Sequence, residues 1–130
     1  MKNTFPKKER LFGVKRIERL YKVGKAFIAY PFRVVFLLVD DENEIIPARV
    51  MVSVSKKKFK KAVDRNRIKR LMRESYRLNK SELIRFATEN NLKIHLSFQY
   101  ISDEIPEFNA VNLNMRKGLN KLIQTISDNN

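Results

Sequence analysis

The 130 residues carry 28 Lys and Arg against 14 Asp and Glu, a net charge of +14, yet 43% are hydrophobic and nine are Phe. That apolar share fills one core of ordinary size, which excludes a disordered basic tail, and the length suits one domain. Without cysteine there is no disulfide, thiolate zinc site or cysteine nucleophile, which fits a reducing compartment. No apolar run approaches the ~20 residues of a membrane span, and Met1 to Lys8 lack the apolar stretch of a signal peptide. A cytoplasmic protein without a membrane partner is expected.

Arg16 to Val23 sets Ile17, Leu20 and Tyr21 at helical spacing, and Gly24 follows as a stop, so a short basic helix is predicted. Phe32 to Val39 is almost continuously apolar. Beyond the acidic turn Asp40-Asp41-Glu42-Asn43, Ile45 to Val54 alternates Val50, Val52 and Val54 with Met51 and Ser53, and the two runs are expected to pair as strands. The basic stretch Lys56 to Lys80 follows directly after Ser55. Ser81 to Ala87 is a short extra helix or a continuation after a kink, Lys93 to Ile101 alternates as a later strand, and Val111 to Ile126 repeats as a helix with Asn109 a candidate cap. The expectation is an α/β (α+β) fold, a single two-layer domain in the order α-β-β-(β)-α-β-α. It spans 1–130, with residues 1–10 and 128–130 as flexible ends.

The charge is not spread evenly. Lys56 to Lys80 holds twelve Lys/Arg against two acids, a net +10, and residues 1–25 hold nine against two. The intervening and C-terminal stretches are slightly acidic. Like charges gathered at this density repel unless a polyanion neutralises them, and nucleic acid is the obvious one. At 3.6 residues per turn, Ile68, Leu71, Met72, Ser75 and Leu78 share one face of the basic helix. Asn66, Lys69, Arg70, Arg73 and Arg77 gather on roughly the opposite third. The guanidinium fork donates two parallel hydrogen bonds to phosphate, while Asn66 can both donate and accept toward a base edge, a sugar hydroxyl or a metal-bound water. Arg65 and Arg67 lie on the flanks, where they either reach ligand or brace neighbouring loops.

Ser53-Val54-Ser55-Lys56-Lys57, followed by Ala62-Val63-Asp64-Arg65-Asn66-Arg67-Ile68-Lys69-Arg70-Leu71-Met72-Arg73-Glu74, resembles the signature of the bacterial ribonuclease P protein family. That family shares the ribosomal protein S5 domain 2-like fold, and its order of elements matches along the whole chain. The resemblance implies that a catalytic RNA, using Mg2+ bound mainly by that RNA, hydrolyses precursor tRNA at the mature 5′ end. The protein, a single copy in the holoenzyme, would bind the catalytic RNA and the 5′ leader and supply neither catalytic residues nor a metal site. By that resemblance Arg65, Asn66, Arg67, Lys69, Arg70 and Arg73 contact RNA, with Lys56 and Lys57 extending the face. The family's leader cleft lies between the first helix and the sheet: Tyr21 matches one of its aromatics, Ile17 stands where another is usual, and Phe36 is the candidate strand aromatic. Phe59 and Lys60 stand where the family commonly has a glycine-containing turn.

Blander readings sit beside these. A charge run alone is usually a solvated face, and aromatics such as Tyr21 and Phe36 mostly fill cores. His95, the only histidine, has no second histidine or cysteine to complete a zinc site, and the acids of 40–44 suit a polar turn as well as a hard cation. An RNA-binding structural protein such as a ribosomal component is the alternative function. A protein-only nuclease would need clustered acids for two metals, which the sequence lacks.

Overall fold

Period-two apolar positions build a four-stranded sheet in the computed structural model, which describes residues 5–129. Its strands are β1 (Lys25–Ala29), β2 (Phe32–Leu38), β3 (Ala48–Val54) and β4 (Ile94–Tyr100), in the spatial order β1-β2-β4-β3. The expected pairing of the second and third strands does not occur: β4 lies between them, antiparallel to β2 and parallel to β3. The reason is burial. Every residue of β4 except Gln99 is buried, so it needs a neighbour on each side and cover on each face. A parallel partner requires a long crossover, supplied by the basic helix α2 (Ala62–Asn79) and by α3 (Ser81–Glu89), a separate helix.

Phe32, Val34 and Phe36 of β2 join Val50 and Val52 of β3 and Leu96 and Phe98 of β4 on one face, against α2 and the C-terminal helix α4 (Phe108–Asp128). In α4 the expected cap Asn109 falls inside the first turn; Glu107 occupies the cap position without a side-chain hydrogen bond. Helix α1 (Val14–Val23) covers the other face, where Leu20 and Ile17 pack with Leu11, Val35, Leu37 and Met51, and so adds a partial third layer. Gly24 does end it: a Cβ there would overlap the Leu20 carbonyl and lie 2.9 Å from the Phe36 carbonyl.

The buried side of α2 is Ile68, Met72, Ser75 and Tyr76. Leu71 is only half-buried, and Leu78, predicted on the packed face, is 40% exposed. The packed stripe is centred nearer Tyr76 than the hydrophobic pattern suggested, because α2 leans on both β3 and α4.

From Phe5 onward the N-terminal segment, expected to be loose through residue 10, is packed against the body; residues 1–4 and 130 lie outside the described range. Phe5 meets Tyr76 edge-on at 5.2 Å, Glu9 pairs with the buried Lys80 at 2.6 Å, and the Leu11 amide donates to the Val50 carbonyl. The physical cause is the free edge of β3, whose backbone groups this strap partly satisfies. At the other end Asp128 still belongs to α4 and Asn129 caps it.

The acidic stretch 40–44 is not a hairpin turn but a connection from β2 over the end of β4 to β3. Glu44 anchors it: its buried carboxylate accepts from Arg49 Nε at 2.8 Å, His95 Nε2 at 3.1 Å and the Ile46 amide at 3.1 Å. Burial alone would raise the Glu44 pKa, but these donors, Arg49 first, hold it at about 2. Burial pushes the His95 imidazole down, against the pull of Glu44.

Met72→Ala is expected to cost about 2 to 5 kcal/mol in urea unfolding, whereas Leu78→Ala, at an exposed site, changes stability little; equal losses would contradict the assigned faces. Acid sensitivity follows from the buried carboxylate and imidazole. Both folded-state pKa values are depressed, so the unfolded chain binds more protons and stability falls with falling pH. The loss begins below about pH 6.5 through His95 and continues below about 4.5 through Glu44. Melting curves between pH 7 and 3 should show this decline, and Glu44→Gln should flatten its lower limb.

Candidate nucleic-acid interface

The outward third of α2 carries Asn66 and Arg70, both exposed, because Ile68 and Met72 fix the opposite side against the sheet. Arg67 and Lys69 flank Ile68 on either side, the first exposed and the second half-buried. Lys56 and Lys57 stand exposed on the turn that leads into the helix, where the Lys57 amide donates to Ser55 Oγ at 3.1 Å. Predicted contact residues therefore do converge on one helix and the turn before it.

Arg65 resolves one open alternative. Its Nη1 donates to the Phe59 and Lys60 carbonyls at 2.7 and 2.9 Å, so it braces the turn. Phe59 explains the departure in that turn: its buried ring packs at 6.1 Å from Tyr100, a hydrophobic anchor in place of a glycine-shaped bend. Lys58 ties the same turn to the Ile101 carbonyl.

Arg73 is half-buried near Arg10 of the N-terminal strap; burial first, and then the charge of Arg10, push its guanidinium below its usual range. Among the described residues neither forms an ion pair, although Arg10 lies over the Phe5 ring at 5.2 Å. Two neighbouring cations without a carboxylate leave a place where an anion relieves both. Arg77 differs: Glu74 holds it within α2 at 2.5 Å.

The residues expected to line a leader cleft divide. Tyr21 lies on the α1 side of the sheet, 39% exposed, with its hydroxyl bonded to Ser97 Oγ at 2.6 Å. Ile17 is half-buried in the small core beneath α1. Phe36 is a correction: only 5% exposed, it points to the opposite face with Phe32 and Val34, where its ring meets Phe27 at 6.1 Å. Register alternates faces, and the face toward α1 receives Arg33, Val35 and Leu37 instead. Sequence reasoning missed Arg33, whose Nη1 donates to Gln99 Oε1 at 2.8 Å, and the Glu44–Arg49–His95 cluster. The available signal was a charge inside each apolar strand.

Comparison with known proteins agrees with this architecture. A family model described as Ribonuclease P matches residues 5–122. The ribonuclease P protein component of Porphyromonas gingivalis is 43% identical over 113 residues, covering 87% of this chain and 82% of the relative. That of Chlorobaculum tepidum is 33% identical over 129 residues, covering 93% and 84%. Among solved structures, the Staphylococcus aureus RNase P protein superposes with a TM-score of 0.60 at 25% identity, covering 91% of this chain and 94% of that one. With the family matched over most of its length and the basic helix displayed in the same fold, the chain belongs to the ribonuclease P protein family.

Proposed function

We propose that the chain binds its catalytic RNA through the outer side of α2 and the turn before it, and receives the 5′ leader of precursor tRNA along the sheet face beside α1. The observation that carries this reading is the basic stripe of α2: Asn66, Arg67 and Arg70 project outward while Ile68 and Met72 are locked in the core. Lys69 and Arg73 widen the stripe toward Arg10, and Lys56 and Lys57 extend it along the turn. Arg65 serves it indirectly, by holding the 59–60 turn in shape.

The work of such a surface is electrostatic. Lys and Arg replace counterions along two RNA backbones that would otherwise repel each other, which lowers the magnesium needed to bring them together. The leader, being single-stranded, offers unstacked bases, and Tyr21 supplies a partly exposed ring beside the sheet. Hydrolysis belongs to the RNA. Magnesium is assigned there too, since the outer side of α2 presents N–H donors rather than the carboxylates a hard cation takes. Among the described residues no group of three His, Asp or Glu is placed to hold a metal ion. Removal of the leader then yields mature tRNA 5′ ends, with one protein copy per catalytic RNA in the cytoplasm. Among the described residues no helix is long and apolar enough to cross a membrane.

Precursor-tRNA cleavage by the cognate catalytic RNA at low magnesium tests the proposal: adding the protein should raise the rate and the affinity for leader-bearing substrate. Unchanged rate and affinity would contradict it. Arg70→Ala should weaken binding to the catalytic RNA and reduce the log–log salt slope by about 0.9 if one duplex phosphate contact is lost. A binding curve with the wild-type slope would make Arg70 a bystander.

A further inference from the structure

Residues paired in register point to the same face, so the α1 side of the sheet is built in rows. The row Val35–Ser97–Met51 adjoins Leu20 and Tyr21 of α1, and the row Leu37–His95–Arg49 is closed by Glu44. The remaining row, Ile28–Arg33–Gln99–Ser53, stays open on the Tyr21 side of α1: Ile28 is 50% exposed and the other three are half-buried. The other side of α1 faces away from that row and carries most of the charge of the helix. At 3.6 residues per turn, Arg16 and Arg19 lie about 140° and 160° round the helix from Tyr21. Arg16 accordingly stands on the His95 side, where its charge helps to push that imidazole down. Lys15 and Lys22 lie about 220° and 200° from the buried Leu20, hence outward. All four cations are exposed, and Glu18 is the one acid of α1.

The N-terminal strap joins this charge to α2. Arg49 Nη1 donates to the Lys8 carbonyl at 2.6 Å and the Leu11 amide donates to the Val50 carbonyl at 2.9 Å, so the strap crosses the β3 edge on one fixed path. Lys7, Lys8 and Arg10 are exposed along it, with Arg73 of α2 beside Arg10 and the start of α1 just beyond Gly13. Two of its arginines lie over rings: Arg10 over Phe5 at 5.2 Å, and Arg16 over Phe12, itself 52% exposed, at 5.7 Å. Stacking uses the flat face of a guanidinium and leaves its N–H edge free to donate. Among the described residues none of Arg10, Lys15, Arg16, Arg19 and Lys22 forms an ion pair.

We propose that the strap and the outer side of α1 bind a second stretch of the backbone of the catalytic RNA, so that RNA lying on α2 continues round the β3 edge; this rests on the reading that α2 faces that RNA. Charge complementarity sets the ligand chemistry. Exposed cations without carboxylate partners, two of them forks with free N–H edges, fit a row of phosphates. Continuity decides which RNA supplies them. A leader on the open row is separated from Arg16 and Arg19 by the body of α1, whereas RNA held at Arg73 meets Arg10 next and then the strap. The two basic stretches of the sequence thus form one belt around the edge of the sheet rather than two separate patches.

The test uses the full chain and its cognate catalytic RNA without precursor tRNA, with Kd measured across salt concentrations. Arg16→Gln combined with Arg19→Gln should weaken binding and lower the log–log salt slope by about 1.8 on duplex phosphates, or about 1.4 on a single strand. Both side chains are exposed, so the melting temperature should not fall. Independently of that variant, Arg19→Cys can carry a hydroxyl-radical probe in the holoenzyme assembled with precursor tRNA. It should cut the catalytic RNA at nucleotides other than those reached from the first turn of α2. A wild-type slope in the double variant beside a reduced slope in Arg70→Ala overturns the proposal and leaves the α2 reading standing, the charge of α1 then being a solvated face. Wild-type slopes in both variants remove both readings. Cuts from position 19 confined to precursor tRNA would assign this surface to the substrate and overturn the proposal as well.

Discussion

The burial of β4 on both faces and both edges is the constraint on which the rest of the fold depends. With β2 on one side and β3 on the other, it must be covered by α2 and α4 above and by α1 below. Each neighbouring strand then inherits two faces with different duties. One face carries the large core and presses Ile68, Met72 and Tyr76 of α2 inward; the other carries a smaller core under α1 and leaves a polar row uncovered. The two proposed RNA contacts lie on opposite sides of one sheet for this reason.

Charge placement follows from that packing. A helix whose inner side is fixed by four buried residues has no choice about which residues it shows, and among the described residues most of the arginines of α2 form no ion pair with a carboxylate. Where acids do meet bases in the body they serve the fold. Glu44 holds Arg49 and His95, and Glu9 holds Lys80 and with it the strap that carries Arg10 toward Arg73. Among the described residues the buried Glu44, Lys80 and His95 are thus all paired, while Arg67 and Arg70 stand exposed and Arg73 half-buried, where phosphate can reach them.

Much of this was legible from residue order. The stop at Gly24, the span of β2 to within one residue at its end, the outward placement of Asn66 and Arg70 and the family itself all follow from spacing and motif. Strand pairing was not, because proximity in sequence favours β2 with β3, whereas the partner of both arrives only after α2 and α3 have crossed over. β1 entered the expected order only as an optional strand, and its residues were not located because Lys25-Ala26-Phe27-Ile28-Ala29, at a sheet edge, carry a weak alternation. Phe36 was misplaced for a related reason: β2 is apolar on both faces, so its period is hidden, and only the core packing of Phe32 and Val34 reveals which way Phe36 points. Leu78 shows the same limit on a helix, where a hydrophobic residue one step outside the packed stripe looks like part of it.

The central claim is that α2 faces the catalytic RNA while the opposite side of the sheet faces the leader. Because the chain has no cysteine, a single introduced thiol can carry a hydroxyl-radical probe to a defined spot. Val63→Cys places it on the exposed first turn of α2, and Ile28→Cys places it on the open row. In the assembled holoenzyme with precursor tRNA, the Val63 probe should cut the catalytic RNA and the Ile28 probe should cut the leader. Cuts in the same RNA segment from both positions, or an intact leader beside the Ile28 probe, would contradict the account.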